Sequence, residues 1–150
     1  MAYGTVLGVA ARVPGAQLGA ISTPDTEQVT AWLGQGSAYI DRKLATAGYV
    51  APVADTSALY PELTALAEQY AAAQMLRARG LDTITGEGEM RSEVWLNDVR
   101  ARINEIAASD LVALGVARAV VSGAPTRMRS VQLRRVDGYA RNGGATEYAE

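Results

Sequence analysis

The chain has 150 residues, 49% of them hydrophobic and 20% charged, with a formal net charge of -2. That length suits one domain with a real core plus arms and is short for two, and the near-neutral balance gives no global pull towards nucleic acid. There is no Cys and no His, which excludes disulfides, thiolate nucleophiles, Cys or His metal sites and the usual neutral-pH general base.

Among the basic residues only Lys43 is Lys. Genomic base composition and selection for bidentate interface contacts would both favour Arg in this way. The N-terminus has no cationic segment before its apolar residues and meets Pro14 early, unlike a signal peptide. No apolar run approaches the roughly 20 residues that span a bilayer. The expectation is a soluble protein made in a cytoplasm, with no membrane partner.

Thr5 can cap a short helix that places Val6, Val9, Ala10 and Val13 on one side, and Pro14 ends it. Residues 14–22 read as a loop. A long helix over about 24–47 follows, with Thr23 as its cap, Pro24 in the first position and Asp25 and Glu27 at the positive end of its dipole. Val29, Trp32, Leu33, Gly36, Tyr39, Ile40, Leu44 and Ala47 recur at three- and four-residue steps, which puts them on one face. Gly48 stops the helix, which is about 35 Å long at roughly 1.5 Å per residue. Gly34 and Gly36 each cost about 1 kcal/mol relative to Ala in an exposed helix interior. Either another backbone approaches them closely or packing simply tolerates them.

Residues 49–60, with Pro52, Asp55 and Ser57, form a connector. Pro61 opens a helix over about 61–79 with Leu63, Leu66, Ala67, Tyr70, Ala71, Ala73 and Leu76 on its apolar face and Gly80 as its stop. Residues 81–88, with Gly86 and Gly88 among polar neighbours, read as a mobile loop. A helix over about 89–109 has a stripe of Trp95, Val99, Ile103 and Ile106 and a charged opposite face. Trp32 and Trp95 read as core anchors more simply than as surface hot spots.

From Gly115 to Val121 the pattern fits a short strand or a frayed turn, which residues 123–125 break. Residues 126–135 alternate loosely between apolar and basic, as in an extended strand, and 136–150 need a partner to be ordered. The fold class is mainly α: a small helical bundle over 1–114 with an extended C-terminal arm over 115–150 that can contain a strand or hairpin.

Phosphate-binding glycine motifs are missing, and Glu87 and Glu89 do not have the spacing of a calcium loop. Lys43 lies beside Asp41 on the polar edge of a helix, where a solvated charge set is the simpler reading than an activated nucleophile. No catalytic, cofactor-binding or metal-binding residues are expected, and the chain does not read as an enzyme. Arg127, Arg129, Arg134 and Arg135 allow three readings: docking on an acidic protein surface, a solvated tail, or phosphate contacts in a small helical nucleic-acid-binding regulator.

The order YGTVLGVAARVPG, then QVTAWLGQGSAYIDRKLATAGYVAP, then PELTALAEQYAAAQMLR resembles the head-to-tail connector (adaptor) proteins of tailed bacteriophages, particularly those of actinobacterial hosts. The likeness covers roughly residues 3–110. Its specific pieces are the QVxxWL and SAxID…LAxxGYxxP patterns, carried by Gln28, Val29, Trp32, Leu33, Ser37, Ala38, Ile40, Asp41, Leu44, Ala45, Gly48, Tyr49 and Pro52. These are fold signatures, and the residues after Gly115 lie outside the likeness. The resemblance implies a structural virion protein forming a ring of about twelve copies under the portal. Its place would be the neck at the portal vertex, after assembly in the host cytoplasm. It would extend the channel through which genomic DNA passes without sequence-specific binding, and would meet the portal protein and the next neck component, a stopper or tail terminator. The C-terminal arm, through Arg127, Arg129, Val131, Leu133, Arg134, Arg135 and Tyr139, is the expected portal-docking element.

Overall fold

A computed structural model of the chain describes residues 2–13, 15–16 and 24–120. They lie in a compact unit, Met1–Val120, and residues 121–150 fall outside the description. Thr5 caps α1 (Val6–Arg12), its hydroxyl accepting from the Gly8 N–H at 3.0 Å. This satisfies one of the donors a helix N-terminus leaves over. Val9 and Val13 turn inward.

The long helix α2 (Thr26–Thr46) differs from expectation at its start. Its cap is Asp25, whose carboxylate accepts from the Gln28 N–H at 2.7 Å while the Gln28 side chain accepts from the Asp25 N–H at 3.3 Å. An Asp followed three residues later by Gln satisfies two donors reciprocally, which Thr23 cannot do, so Pro24 precedes the helix instead of opening it. At the other end Gly48 takes φ +86° and the Tyr49 N–H reaches back to the Leu44 carbonyl, closing the helix through a left-handed residue.

Val29, Leu33, Gly36, Ser37, Ile40 and Leu44 are buried along α2, while Trp32 and Tyr39 are half-buried at the edge of the core. Ala47, expected on the same face, is exposed because it lies past the last helical turn. The two glycines part company. A Cβ at Gly36 would lie 3.1 Å from Cδ1 of Tyr70, so it is a side chain of the next helix, not a backbone, that approaches there. Gly34 has nothing within 4 Å. Gly34→Ala is therefore expected to raise stability by about 1 kcal/mol, read as a later midpoint in urea unfolding, whereas Gly36→Ala gives no such gain.

Helix α3 (Tyr60–Ala78), with Pro61 in its first turn, is the centre of the unit. Leu63, Leu66, Ala67, Ala71, Ala72, Ala73, Met75 and Leu76 are all buried, and α1, α2 and α4 (Arg91–Ala108) each pack on it. The run of three alanines explains how neighbours reach it from several directions, since small side chains shorten interaxial distances. Val99, Ile103 and Ile106 supply the inward stripe of α4, joined by Leu96, with Trp95 half-buried.

Two connectors are more structured than their composition suggests. The segment expected to be a mobile loop closes a tight hairpin: Ile84 bridges Met90, the Thr85 N–H donates to the Glu89 carbonyl at 2.7 Å and the Arg91 N–H to the Thr83 carbonyl at 2.9 Å. Gly88 at φ +86° makes the reversal possible, and α4 starts only after it. Beyond α4, a single 3-10 turn at Val112–Leu114 leads to Gly115 and the buried Val116. Arg118 then bridges Tyr49, flanked by Val50 N–H to Ala117 carbonyl and Ala119 N–H to Gly48 carbonyl, both 2.8 Å. Residues 115–120, grouped with the arm by sequence, thus pack on the helical unit as one bridge rather than a strand.

Candidate functional site

Two of the signature residues, Ser37 and Asp41, meet in a polar knot on α2. Tyr3 is 1% exposed, and its phenol donates to Asp41 Oδ1 at 2.6 Å while accepting from the Val53 N–H at 2.8 Å. Its own N–H donates to Ser37 Oγ at 2.8 Å, and that hydroxyl donates in turn to the Leu33 carbonyl. The Tyr60 ring meets it edge-on at 5.5 Å. Burial, and after it the bond to Asp41, push the Tyr3 phenol well above its ordinary value, since both disfavour the phenolate. One side chain thereby ties the N-terminus, α2 and the connector around Pro52 together.

Tyr49 makes the second tie. Its hydroxyl donates to the Ser109 carbonyl at 2.8 Å and accepts from the Leu111 N–H at 3.4 Å, fastening the end of α2 to the segment after α4. Ser57 Oγ donates to the Leu114 carbonyl at 2.8 Å across the same end. Of the signature residues, Val29, Leu33, Ile40 and Leu44 are core, Asp41, Gly48 and Tyr49 belong to the ties, Trp32 borders the core, and Pro52 is an exposed member of the connector.

Two further polar clusters brace the unit elsewhere. Glu68 of α3 accepts from the Thr5 N–H at 3.1 Å and pairs with Arg12 at 3.6 Å; a Cβ at Gly8 would overlap its carboxylate. At the other end, Met90 gives α4 no side-chain cap, and Asp82 fills that role from a distance. Its carboxylate accepts from the Ser92 N–H at 2.9 Å and from the Ser92 hydroxyl, to which Arg77 Nε donates at 2.9 Å. Asp82→Ala should cost about 1–2 kcal/mol, the range for losing a helix cap, and hydrogen exchange should quicken first in the opening turn of α4.

Sequence reasoning missed Tyr3, Glu68, Asp82 and Ser92, and placed Ser37 only within the likeness. Ser37 carried a signal, as a polar residue inside the apolar face of α2 that lies one turn from both Leu33 and Asp41. The partners of the others are set by tertiary packing.

The surface contains shallow apolar ground. A pocket of about 200 Å3 is lined by Tyr3, Tyr60 and residues 52–55; another of about 150 Å3 lies across Val50, Pro52, Ala54 and Ala117. Ile84, Val112 and Leu7 are exposed at 67%, 52% and 80%. Among the described residues no three potential ligands cluster around a metal position, and no helix is long and apolar enough to cross a membrane. The expected docking residues, Arg127, Arg129, Val131, Leu133, Arg134, Arg135 and Tyr139, lie outside the described residues. Compared with protein-family models, curated proteins and solved structures, the chain matches none.

Proposed function

We propose that the chain is a structural subunit of a tailed-phage neck: a connector that forms a ring beneath the portal and joins it to the next neck component. The observation that carries this reading is the placement of the SAxID and AGYxxP residues. Ser37, Asp41 and Tyr49 serve the ties that join the N-terminus, α2, the Pro52 connector and the segment after α4. A unit so tied, built on a 21-residue helix, suits a spacer. The exposed apolar side chains around it suit a subunit that meets neighbours. In this reading the channel admits DNA without base contacts, and the residues from 121 onward carry the contact with the portal.

The test is truncation. A chain ending at Gly123 should remain folded, because the described unit ends at Val120, yet should fail to bind purified portal rings that the full chain binds. Undiminished portal binding by the shortened chain would defeat the arm's role.

A further inference from the structure

We infer that copies of the chain join head to tail, the hairpin at 83–91 of one seating on the Val50, Pro52 and Ala117 end of the next. This deepens the connector reading by naming the contact between copies, and it rests on that reading for closure into a ring.

The two ends are complementary in three respects. The hairpin presents Ile84 and Met90, 67% and 42% exposed, as an apolar knob. The opposite end offers the pocket of about 150 Å3 across Val50, Pro52, Ala54 and Ala117, with Val50 itself 47% exposed. The backbone matches as well. Thr83 and Thr85 turn their bonds towards Arg91 and Glu89, and Ala117 and Ala119 turn theirs towards Val50 and Gly48. Ile84 and Arg118, the alternate residues, are left with N–H and C=O groups that make no hydrogen bond among the described residues. Each is an open edge of the kind that pairs with another strand. Charge agrees too: Glu87 and Glu89 are exposed and make no ion pair among the described residues. Arg118 lies over the Tyr49 ring at 5.9 Å, and its one ion pair among the described residues is a 3.9 Å pairing with Asp110, both side chains about 70% exposed.

Knob and pocket cannot meet within one copy. The hairpin joins the end of α3 to the start of α4, whereas the pocket is built from the segments before α3 and after α4. The 18 residues of α4 separate them by about 27 Å. A surface that fits a different surface of an identical molecule makes a heterologous contact, which closes into a ring or runs on as a filament.

Sedimentation velocity on the full chain tests this with Ile84→Asp, which spoils the knob, and Val50→Asp, which spoils the pocket. Circular dichroism serves as the check on folding. The wild type should associate with rising concentration, and each variant should need roughly tenfold more protein or above to do so. An equal mixture of the two should regain association but stop at dimers, because each mixed pair has one intact contact and no second. Should either variant lose its fold, exchange of charge replaces it: Glu87→Arg with Glu89→Arg weakens association and Arg118→Glu restores it. A wild type that stays monomeric at every concentration, variants that associate as the wild type does, or a mixture no better than its parts would each overturn the contact. A monomeric chain that still binds portal rings would sink this contact alone, whereas self-association without portal binding would sink the connector reading alone.

Discussion

Replacing Tyr3 with Phe should lower folding stability by about 2–3 kcal/mol, since it removes one hydroxyl and strands two partners. The Val53 N–H is left buried without an acceptor, and the Asp41 carboxylate loses its 2.6 Å donor. An unsatisfied buried group costs about 1–3 kcal/mol, more where it is charged. The ring itself stays, so the loss is of bonds and not of packing. A second signature follows from the raised value of the phenol, whose ordinary value is 10.0. Above about pH 10 the unfolded chain gives up the Tyr3 proton while the folded chain keeps it. The stability that this group contributes is therefore complete below that pH and falls as pH rises towards the higher folded value. The difference in unfolding free energy between wild type and Tyr3→Phe should narrow across that window. A substitution costing less than about 0.5 kcal/mol, the scale of an ordinary surface change, would contradict the knot.

Ile40→Ala should cost more, about 3–4 kcal/mol within the 2–5 typical of such truncations. Ile40 is fully buried in α2, within the core that α2 shares with α3, where close packing lets the neighbours refill a cavity only in part. Urea unfolding measures it through the midpoint at unchanged slope. The contrast with Ile84 is part of the prediction. Ile84→Asp, at 67% exposure, should leave the unfolding midpoint of the isolated chain nearly unchanged while altering association. Two isoleucines thus separate what holds the subunit together from what joins it to others.

The helices were legible because their evidence is local. Val29, Leu33, Ile40 and Leu44 announce the inner face of α2 at helical spacing, and Gly48 announces its end, as the positive φ there confirms. The start was misplaced by two residues because Thr23 with Pro24 and Asp25 with Gln28 are both good openings, and only the second closes a reciprocal pair of bonds. The hairpin at 83–91 was hidden for another reason. Its ladder is a single bridged pair, too short to show alternation, and Gly86 and Gly88 in polar surroundings read equally well as a free loop.

The knot was the least legible feature. Tyr3 lies 34, 38 and 50 residues from Ser37, Asp41 and Val53, and no periodicity connects positions so far apart. What the sequence did offer was the run through Ser37, Asp41, Gly48, Tyr49 and Pro52, and Ser37, Asp41 and Tyr49 serve the ties. Asp82 shows the same limit on a smaller scale: it caps α4 from outside the helix, where capping rules based on adjacent residues do not look.

The most direct test of the connector reading is electron cryo-microscopy of the neck of a tailed virion that contains this chain. The account predicts a ring of copies directly beneath the portal, each fitting the four-helix unit, with the 83–91 hairpin of one against Val50 and Ala117 of the next and the residues after Val120 running to the portal. A neck whose density has no place for this unit, or a chain absent from the purified particle, would contradict it.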